Sequence, residues 1–581
     1  MIKILKKLRV LLSKKQKWQM AALVVMMLVG ALLETASIAL VLSAVSLVTS
    51  METIESNKYV SGIYHALGFS DPKSFTVLVM VLLILAFVLK NVYLFLEWKA
   101  MYAFVYRNQF DTSERLLKNY LKKNYEYYLF ADTAVVQRSI TSDVNNMFAL
   151  ILALLTIVSE GIVFAALIAV LLAVDPVMCV VIALLLLVTM LIVKTILKPV
   201  MTKAGQDNMD YYSGLFKWIS QTVQGIKEVK VSGTEKYFVD AYKVCGNGYV
   251  NAVQKYSLYN NTPKLLIETV CIAGMIGYML FLVVSGENLA DKLPTFSAFA
   301  VAAVKLMPSA NKINNQLNAI AYAEPFFMRV SDSLQEDIAG KNTDMSFAEG
   351  EVRVLPVKKS IKLTGITYKY PQTDRLIFDG ADMEIPVGSA VGVVGTTGAG
   401  KTTIIDILLG LLIPEKGEIL ADGVNIRDNF RGWLNNVGYI PQMIYMLDDT
   451  IRRNVAFGIA DSSEERIWEV LREAHLDEFV RSLPEGLDTE IGERGIRLSG
   501  GQRQRIGIAR ALYRDPEVLI LDEATSALDN DTEAAIMESI NALHGKKTLL
   551  IIAHRLETIK KCDMVYRVEN GKILIEKEQD R

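Results

Sequence analysis

Two kinds of periodicity divide the chain. Up to residue 330 the apolar positions come in long runs, near 19–49, 75–106, 146–174, 176–200, 262–285 and 294–320. Each is close to or above the roughly 20 residues a helix needs to cross a bilayer. Charges inside the runs are sparse: Glu34 in the first, Lys90 before Glu97 in the second, Glu160 in the third. Lys305, Pro308 and Asn311 make the sixth the most polar. Val174-Asp-Pro176 leaves room only for a tight turn, whereas Arg107–Asp143 and Lys203–Tyr259 are long, charged and helix-like. The pattern predicts six spans whose helices run well past the bilayer. Two short segments mark the turns of the long connections, Asn124-Tyr-Glu-Tyr-Tyr-Leu-Phe130 and Gly225-Ile-Lys-Glu-Val-Lys-Val231. They read either as residues capping the turn or as short helices docking on a second domain, and the two readings are compatible.

Beyond residue 358 the period changes to short apolar strands and amphipathic helices, the signature of an α/β layer. Residues 331–358 are charged and weakly patterned, as in a linker. The expected architecture is an all-α transmembrane domain over 1–330, a linker over 331–358, and an α/β P-loop domain over 359–581.

Composition supports the membrane half. Hydrophobic residues make up 52% of the 581 positions, and mean hydropathy is +0.29. The formal net charge of −1 gives no reason to expect nucleic acid as a partner. Residues 1–18 hold seven Lys/Arg and no acid, directly before the first apolar run. That places the N-terminus in the cytoplasm by the positive-inside rule, and an even number of spans returns residue 330 to the same side. The apolar run is too long for a cleaved signal peptide. Cys179, Cys245, Cys271 and Cys562 show neither paired nor metal-like spacing, so no disulfide and no metal centre is expected of them.

Gly395-Thr396-Thr397-Gly398-Ala399-Gly400-Lys401-Thr402 fits G-x-x-x-x-G-K-[ST] between a strand-like run, Ala390–Val394, and a helix-like one, Ile404–Leu412. Glycines bring the backbone close to a phosphate, and the amides and helix N-terminus then face the anion. Lys401 would reach the β/γ-phosphates of ATP and Thr402, followed by Thr403, would hold Mg²⁺. Val518-Leu-Ile-Leu-Asp-Glu523 reads as a buried strand presenting two carboxylates at its C-terminal end, where open α/β sheets bind ligands. Asp522 would hold Mg²⁺ directly or through water, and Glu523 would orient or polarise the attacking water. Tyr370, after a strand-like stretch, is either a core tyrosine or an aromatic platform for adenine. Leu498-Ser499-Gly500-Gly501-Gln502 precedes a helix that Ser499 can cap, and its glycines expose amides to an anion.

With that pentapeptide ahead of the acidic strand, residues 359–581 resemble an ATP-binding-cassette domain and residues 1–330 the six-span domain of exporter-type members. The resemblance implies an ATPase coupled to transport. It gives Tyr370 the adenine-stacking role and Gln442, in Tyr-Ile-Pro-Gln442, that of sensing the γ-phosphate and Mg²⁺. It makes Ser526-Ala-Leu-Asp529 the D-loop and His554 the switch histidine that contacts the γ-phosphate. Gly492-Glu-Arg-Gly495 matches a segment that touches the membrane domain. In the family the Ser499–Gln502 segment faces the phosphate loop of a second cassette. One cassette and six spans therefore imply a half-transporter acting as a homodimer in the inner (plasma) membrane, with its cassette in the cytoplasm.

Cargo is read from intramembrane charge, which is costly and so marks function by default. Lys264 and Glu268 stand four apart and can pair; Lys90 and Lys305 have no such neighbour in sequence. The alternative for all three lysines is snorkelling to an interface. The sixth run, Lys305-Leu-Met-Pro-Ser-Ala-Asn311, and the first, around Glu34-Thr-Ala-Ser-Ile-Ala, resemble bacterial lipid-linked oligosaccharide flippases, in which Lys90, Lys264 and Lys305 are matched by arginines. The cargo implied is an anionic polyprenyl-pyrophosphate-linked oligosaccharide or a similar lipid. An exporter of drugs, peptides or other lipids is the alternative with the same motor. A soluble cassette serving DNA repair or translation conflicts with the six runs.

Overall fold

The computed structural model describes residues 2–49, 64, 72–174, 176–285, 289–338, 355–522, 538, 540, 542–552, 559 and 561–578. The chain forms two compact units, one of Met1–Leu121 with Ala131–Asn342, the other of Lys122–Phe130 with Thr343–Arg581.

The first unit is helical. After α1 (Ile2–Leu11) come α2 (Lys14–Thr49) and α3 (Pro72–Leu121). The short α4 (Tyr125–Phe130) belongs to the other unit. Then follow α5 (Thr133–Arg138), a π-helical turn Ser139–Asp143, α6 (Val144–Val174) and α7 (Pro176–Gln224). The unit closes with α8 (Ile226–Ser232), α9 (Glu235–Val284) and α10 (Leu289–Ile338). The expected apolar runs lie within the long helices α2, α3, α6, α7, α9 and α10, the fifth reaching one residue past the end of α9. Among the described residues, four helical stretches are long and apolar enough to cross a membrane: Lys14–Ser37, Lys73–Leu121, Thr133–Ala169 and Glu235–Phe281. A 50-residue helix such as α3 is about 75 Å long at 1.5 Å per residue, far more than a ~30 Å hydrocarbon core. The excess is the helical extension that the charged connections predicted. Pro199 and Pro263 sit inside α7 and α9 without ending them. Glu160, on α6, is engaged by α10: Ser309 Oγ donates to it at 2.7 Å and Lys312 Nζ at 2.6 Å.

The second unit is a two-sheet α/β body. One sheet is antiparallel, ordered β2–β1–β4–β5, with β1 Ser360–Lys369, β2 Leu376–Pro386, β4 Lys416–Ala421 and β5 Val424–Asn425. The other is ordered β10–β9–β3–β8–β7–β6, with β3 Ala390–Gly395, β6 Val437–Ile440, β7 Val518–Asp522, β8 Thr548–Ile552, β9 Met564–Glu569 and β10 Lys572–Glu578. Within it β9, β3, β8, β7 and β6 run parallel and β10 antiparallel. Every residue of β7 and of β8 is buried, as strands covered on both faces must be. The helices here are α11 (Lys401–Leu408), α12 (Phe430–Asn435), α13 (Ile451–Val455), α14 (Glu464–Glu473), α15 (Asp477–Ser482) and α16 (Gly500–Leu512). Fully buried Trp433 donates its indole N–H to Leu408 O at 2.9 Å, pinning the end of α11.

Candidate nucleotide site

Register brings the motifs to one edge of the parallel sheet. Val393 pairs with Ile552, Ile552 with Asp522, and Leu521 with Ile440. The C-terminal ends of β3, β8, β7 and β6 therefore lie side by side. They present the 395–402 loop, the Asp522 carboxylate and, just past Ile440, Gln442. Strand ends are where an open parallel sheet leaves room for a ligand.

The loop is shaped for close approach. Gly400 caps α11 at φ 107°, and a Cβ there would meet Ile377 Cγ2 at 2.9 Å. A Cβ on Gly395 would stand 2.7 Å from Val568 O. Lys401 is buried and donates to the loop's own carbonyls, Gly395 O at 3.0 Å and Thr396 O at 3.1 Å. Thr402 is exposed in the first helical turn. Thr403 is buried and its Oγ1 shares a 2.9 Å hydrogen bond with the Tyr370 hydroxyl. Gly395, Thr396, Thr397, Gly398 and Ala399 line a cavity of about 590 Å³ with Arg375 and Arg567. Glu569 lines it too and Arg567 is paired with Glu576, so Arg375 and the loop's glycine-rich backbone are what suit a polyphosphate.

Asp522 is 4% exposed at the end of β7. The Tyr439 hydroxyl hydrogen-bonds to it, and burial followed by the Asp522 and Asp406 carboxylates pushes that phenol's pKa up. Asp406, on α11, is raised to about 6, chiefly by burial and secondarily by Asp522. Buried Asp522 and half-buried Asp406, close enough to act on each other electrostatically, form a negative point that suits a cation. The oxygens of Thr402, Asp522 and Gln442 are the hard donor set Mg²⁺ prefers, so the residues present fit the metal as well as the nucleotide.

Ser499 and Gln502 are occupied with each other at the start of α16. Ser499 Oγ accepts from Gln502 N at 3.2 Å, and Gln502 Oε1 accepts from Ser499 N at 2.8 Å. Ser499 and Gly500 are exposed, Gly501 and Gln502 half-buried, and none of the four lines the cavity beside the phosphate loop. Glu523, Asp529 and His554 lie outside the described residues.

Sequence reasoning missed Asp406, Tyr439 and Arg510. Arg510 donates to Asn454 O at 2.8 Å and Tyr445 O at 2.7 Å, and lies 4.6 Å from the Phe457 ring. It ties α16 to the stretch after Gln442, and burial lowers its pKa to about 10. An arginine on an otherwise apolar helix face was the signal that could have found it. Of the intramembrane lysines, Lys90 is buried with its ammonium 4.6 Å from the Phe87 ring. Lys264 is exposed on α9, and no ion pair joins it to Glu268 among the described residues. Lys305 lies on α10, its side chain outside the described residues.

A helical membrane region fused to such a cassette defines a class, and comparison with known proteins identifies it. The family model for the ABC transporter transmembrane region matches residues 36–304, and that for the ABC transporter matches 378–526. The chain belongs to the ABC transporter family; it is a membrane protein carrying that family's ATPase cassette. It is 30% identical over 457 residues to the ATP-dependent lipid A-core flippase of Bordetella avium, covering 76% of this chain and 74% of that one. It is 33% identical over 353 residues to the heterocyst differentiation ATP-binding protein HepA of Nostoc sp., where the match spans 61% of this chain and 57% of the relative. A solved bacterial Atm1-family ABC exporter with ATP bound has the same fold, with a TM-score of 0.75 at 23% identity over 96% of this chain and 94% of that one.

Proposed function

We propose that the chain is an ATP-driven flippase for an anionic, amphipathic lipid, with a polyprenyl-pyrophosphate-linked oligosaccharide as the specific candidate. The observation that carries the ATPase part is the alignment of the phosphate loop, Asp522 and the β6 end along one sheet edge. Lys401 would bind the β/γ-phosphates and Tyr370 would carry the adenine. Thr402, Asp522 and Gln442 would hold Mg²⁺, which neutralises charge developing on the transferred phosphoryl group. Glu523 would orient water and His554 would contact the γ-phosphate. The Ser499–Gln502 segment, exposed at Ser499 and Gly500, supports a homodimer in which it completes the site of a second, identical chain. The inner membrane, with cassette and N-terminus cytoplasmic, follows from the basic residues before the first span. Residues 1–330 would form the membrane part and 359–581 the motor, joined through 331–358.

The lipid reading draws on the Bordetella relative's name and on Lys90, Lys264 and Lys305 as cations for a phosphorylated head group. The test is ATPase activity of the full chain in nanodiscs with added polyprenyl-pyrophosphate saccharide, lipid A or hydrophobic drugs. Stimulation by the first, lost when the three lysines are changed to Ala together, supports the assignment. Stimulation by drugs alone moves the cargo to the exporter alternative.

A further inference from the structure

A second cavity, of about 430 Å³, lies between the first turns of α2 and the stretch of α3 that leaves the second apolar run. Its two ends differ in chemistry. Leu23, Met26 and Phe104 line one end; Lys15, Gln19 and Arg107 line the other, with Asp111 beside them. On both helices the polar end adjoins charged sequence next to a long apolar run. Lys15 precedes the charge-free stretch that begins at Met20, and Arg107 follows the apolar run that ends at Tyr106. Exposed aromatics lie close by in sequence: Trp18 is 78% exposed, and exposed Tyr102 and Tyr106 stack at 6.2 Å, the residue types enriched at membrane–water interfaces.

The polar end is also built rather than incidental. Gln16 Nε2 donates to the buried Asn108 Oδ1 at 2.7 Å, and Asn108 Nδ2 donates to Phe104 O at 2.6 Å, locking α2 to α3. Ser13 and Gln16 form a reciprocal cap at the start of the 36-residue α2. The side-chain amides are thus committed to the frame, while Lys15, Gln19 and Arg107 stand exposed around it. Two cations, one acid and the positive end of a long helix leave a net positive site above an apolar slot.

We propose that this cavity binds an anionic glycerophospholipid of the cytosolic leaflet. Its phosphate lies between Lys15 and Arg107, and the start of an acyl chain runs along Leu23, Met26 and Phe104. The site is separate from the cargo lysines and does not depend on which cargo is moved. A bound lipid would brace the cytosolic ends of α2 and α3 at the point where α2 enters the membrane.

The experiment uses the full chain, delipidated in detergent and titrated with phosphatidylglycerol or phosphatidylcholine, with lipid adducts counted by native mass spectrometry. Wild type is expected to hold one phosphatidylglycerol per chain in preference to phosphatidylcholine. Lys15→Gln with Arg107→Gln should weaken it about tenfold or more, since each cation near an anionic lipid contributes of the order of a fivefold effect. Asp111→Asn should strengthen it. Ala103→Trp, which fills the slot without touching a charge, should abolish the adduct and serves if the double variant does not fold. Equal binding of both lipids by wild type, unchanged binding in the double variant, or displacement by millimolar inorganic phosphate alone would each overturn the proposal.

Discussion

The Tyr368 hydroxyl donates to Glu126 Oε1 at 3.4 Å, between residues 242 apart in sequence. The same oxygen accepts from Ile413 N, also at 3.4 Å. One carboxylate thus joins α4 to a strand of the antiparallel sheet and to the turn after α11. Tyr368 is 1% exposed, and burial, then Glu126, raises its pKa. Beside it, the phenol of Tyr125 is pushed up by burial, by Asp406 and by Tyr370. The aromatic segment Tyr125–Phe130 is therefore held as a short helix against the cassette, next to α11.

On the proposed function, that contact would carry the effect of cargo to the motor. A hydrogen-bonded junction of this kind is worth about 1 kcal/mol, so Glu126→Ala should cut lipid stimulation of the ATPase about fivefold while ATP binding is kept. Parallel measurement of stimulated turnover and of nucleotide binding checks it. Full stimulation in the variant removes Glu126 from the pathway.

Lys401→Ala should abolish turnover, because the buried ammonium is the charge positioned for the phosphates. Glu523→Gln should behave differently: ATP still binds and traps a closed dimer, but phosphate release stops. Retained nucleotide and dimer mass after gel filtration with ATP distinguish the two. Near-wild-type hydrolysis by the Gln variant would remove Glu523 from its assigned role.

Asp406 predicts a pH effect with a definite sign. Its carboxyl is raised from 3.8 to about 6 in the folded chain, so between those values the native state holds a proton that the unfolded chain releases. The group's contribution to stability is therefore greatest at acid pH and declines as pH rises through about 6. Asp406→Asn should raise the melting temperature of the nucleotide-free full chain at pH 8 more than at pH 5. An equal change at both pH values would show that Asp406 is not protonated in the native state.

Arg138 and Asp143 form an ion pair at 3.1 Å with side chains 1% and 0% exposed. Arg138 also donates to Met209 O at 2.6 Å and to Ser213, tying the π-helical turn to α7. Removing one partner strands a buried charge, so Asp143→Ala should destabilise the chain by about 3–5 kcal/mol. The double change Arg138→Met, Asp143→Leu should recover most of that loss. Thermal unfolding in detergent measures both.

Much of this protein was legible in its sequence because the relevant physics is local. A bilayer demands an unbroken apolar run, so the long helices announce themselves. A phosphate demands glycine amides ahead of a helix, so 395–402 is legible within one octet. A doubly covered parallel strand is a continuous apolar stretch, so Val518–Leu521 pointed to Asp522. Tertiary structure alone decided what lies beside those motifs. It set Asp406 and Tyr439 against Asp522, bound Tyr370 to Thr403, anchored α16 through Arg510, packed α4 against the cassette, and gathered Lys15 and Arg107 at one cavity. None of these is periodic or close in sequence. Each is a pairing between distant elements, fixed by strand register and helix packing, so it exists only once the chain has folded.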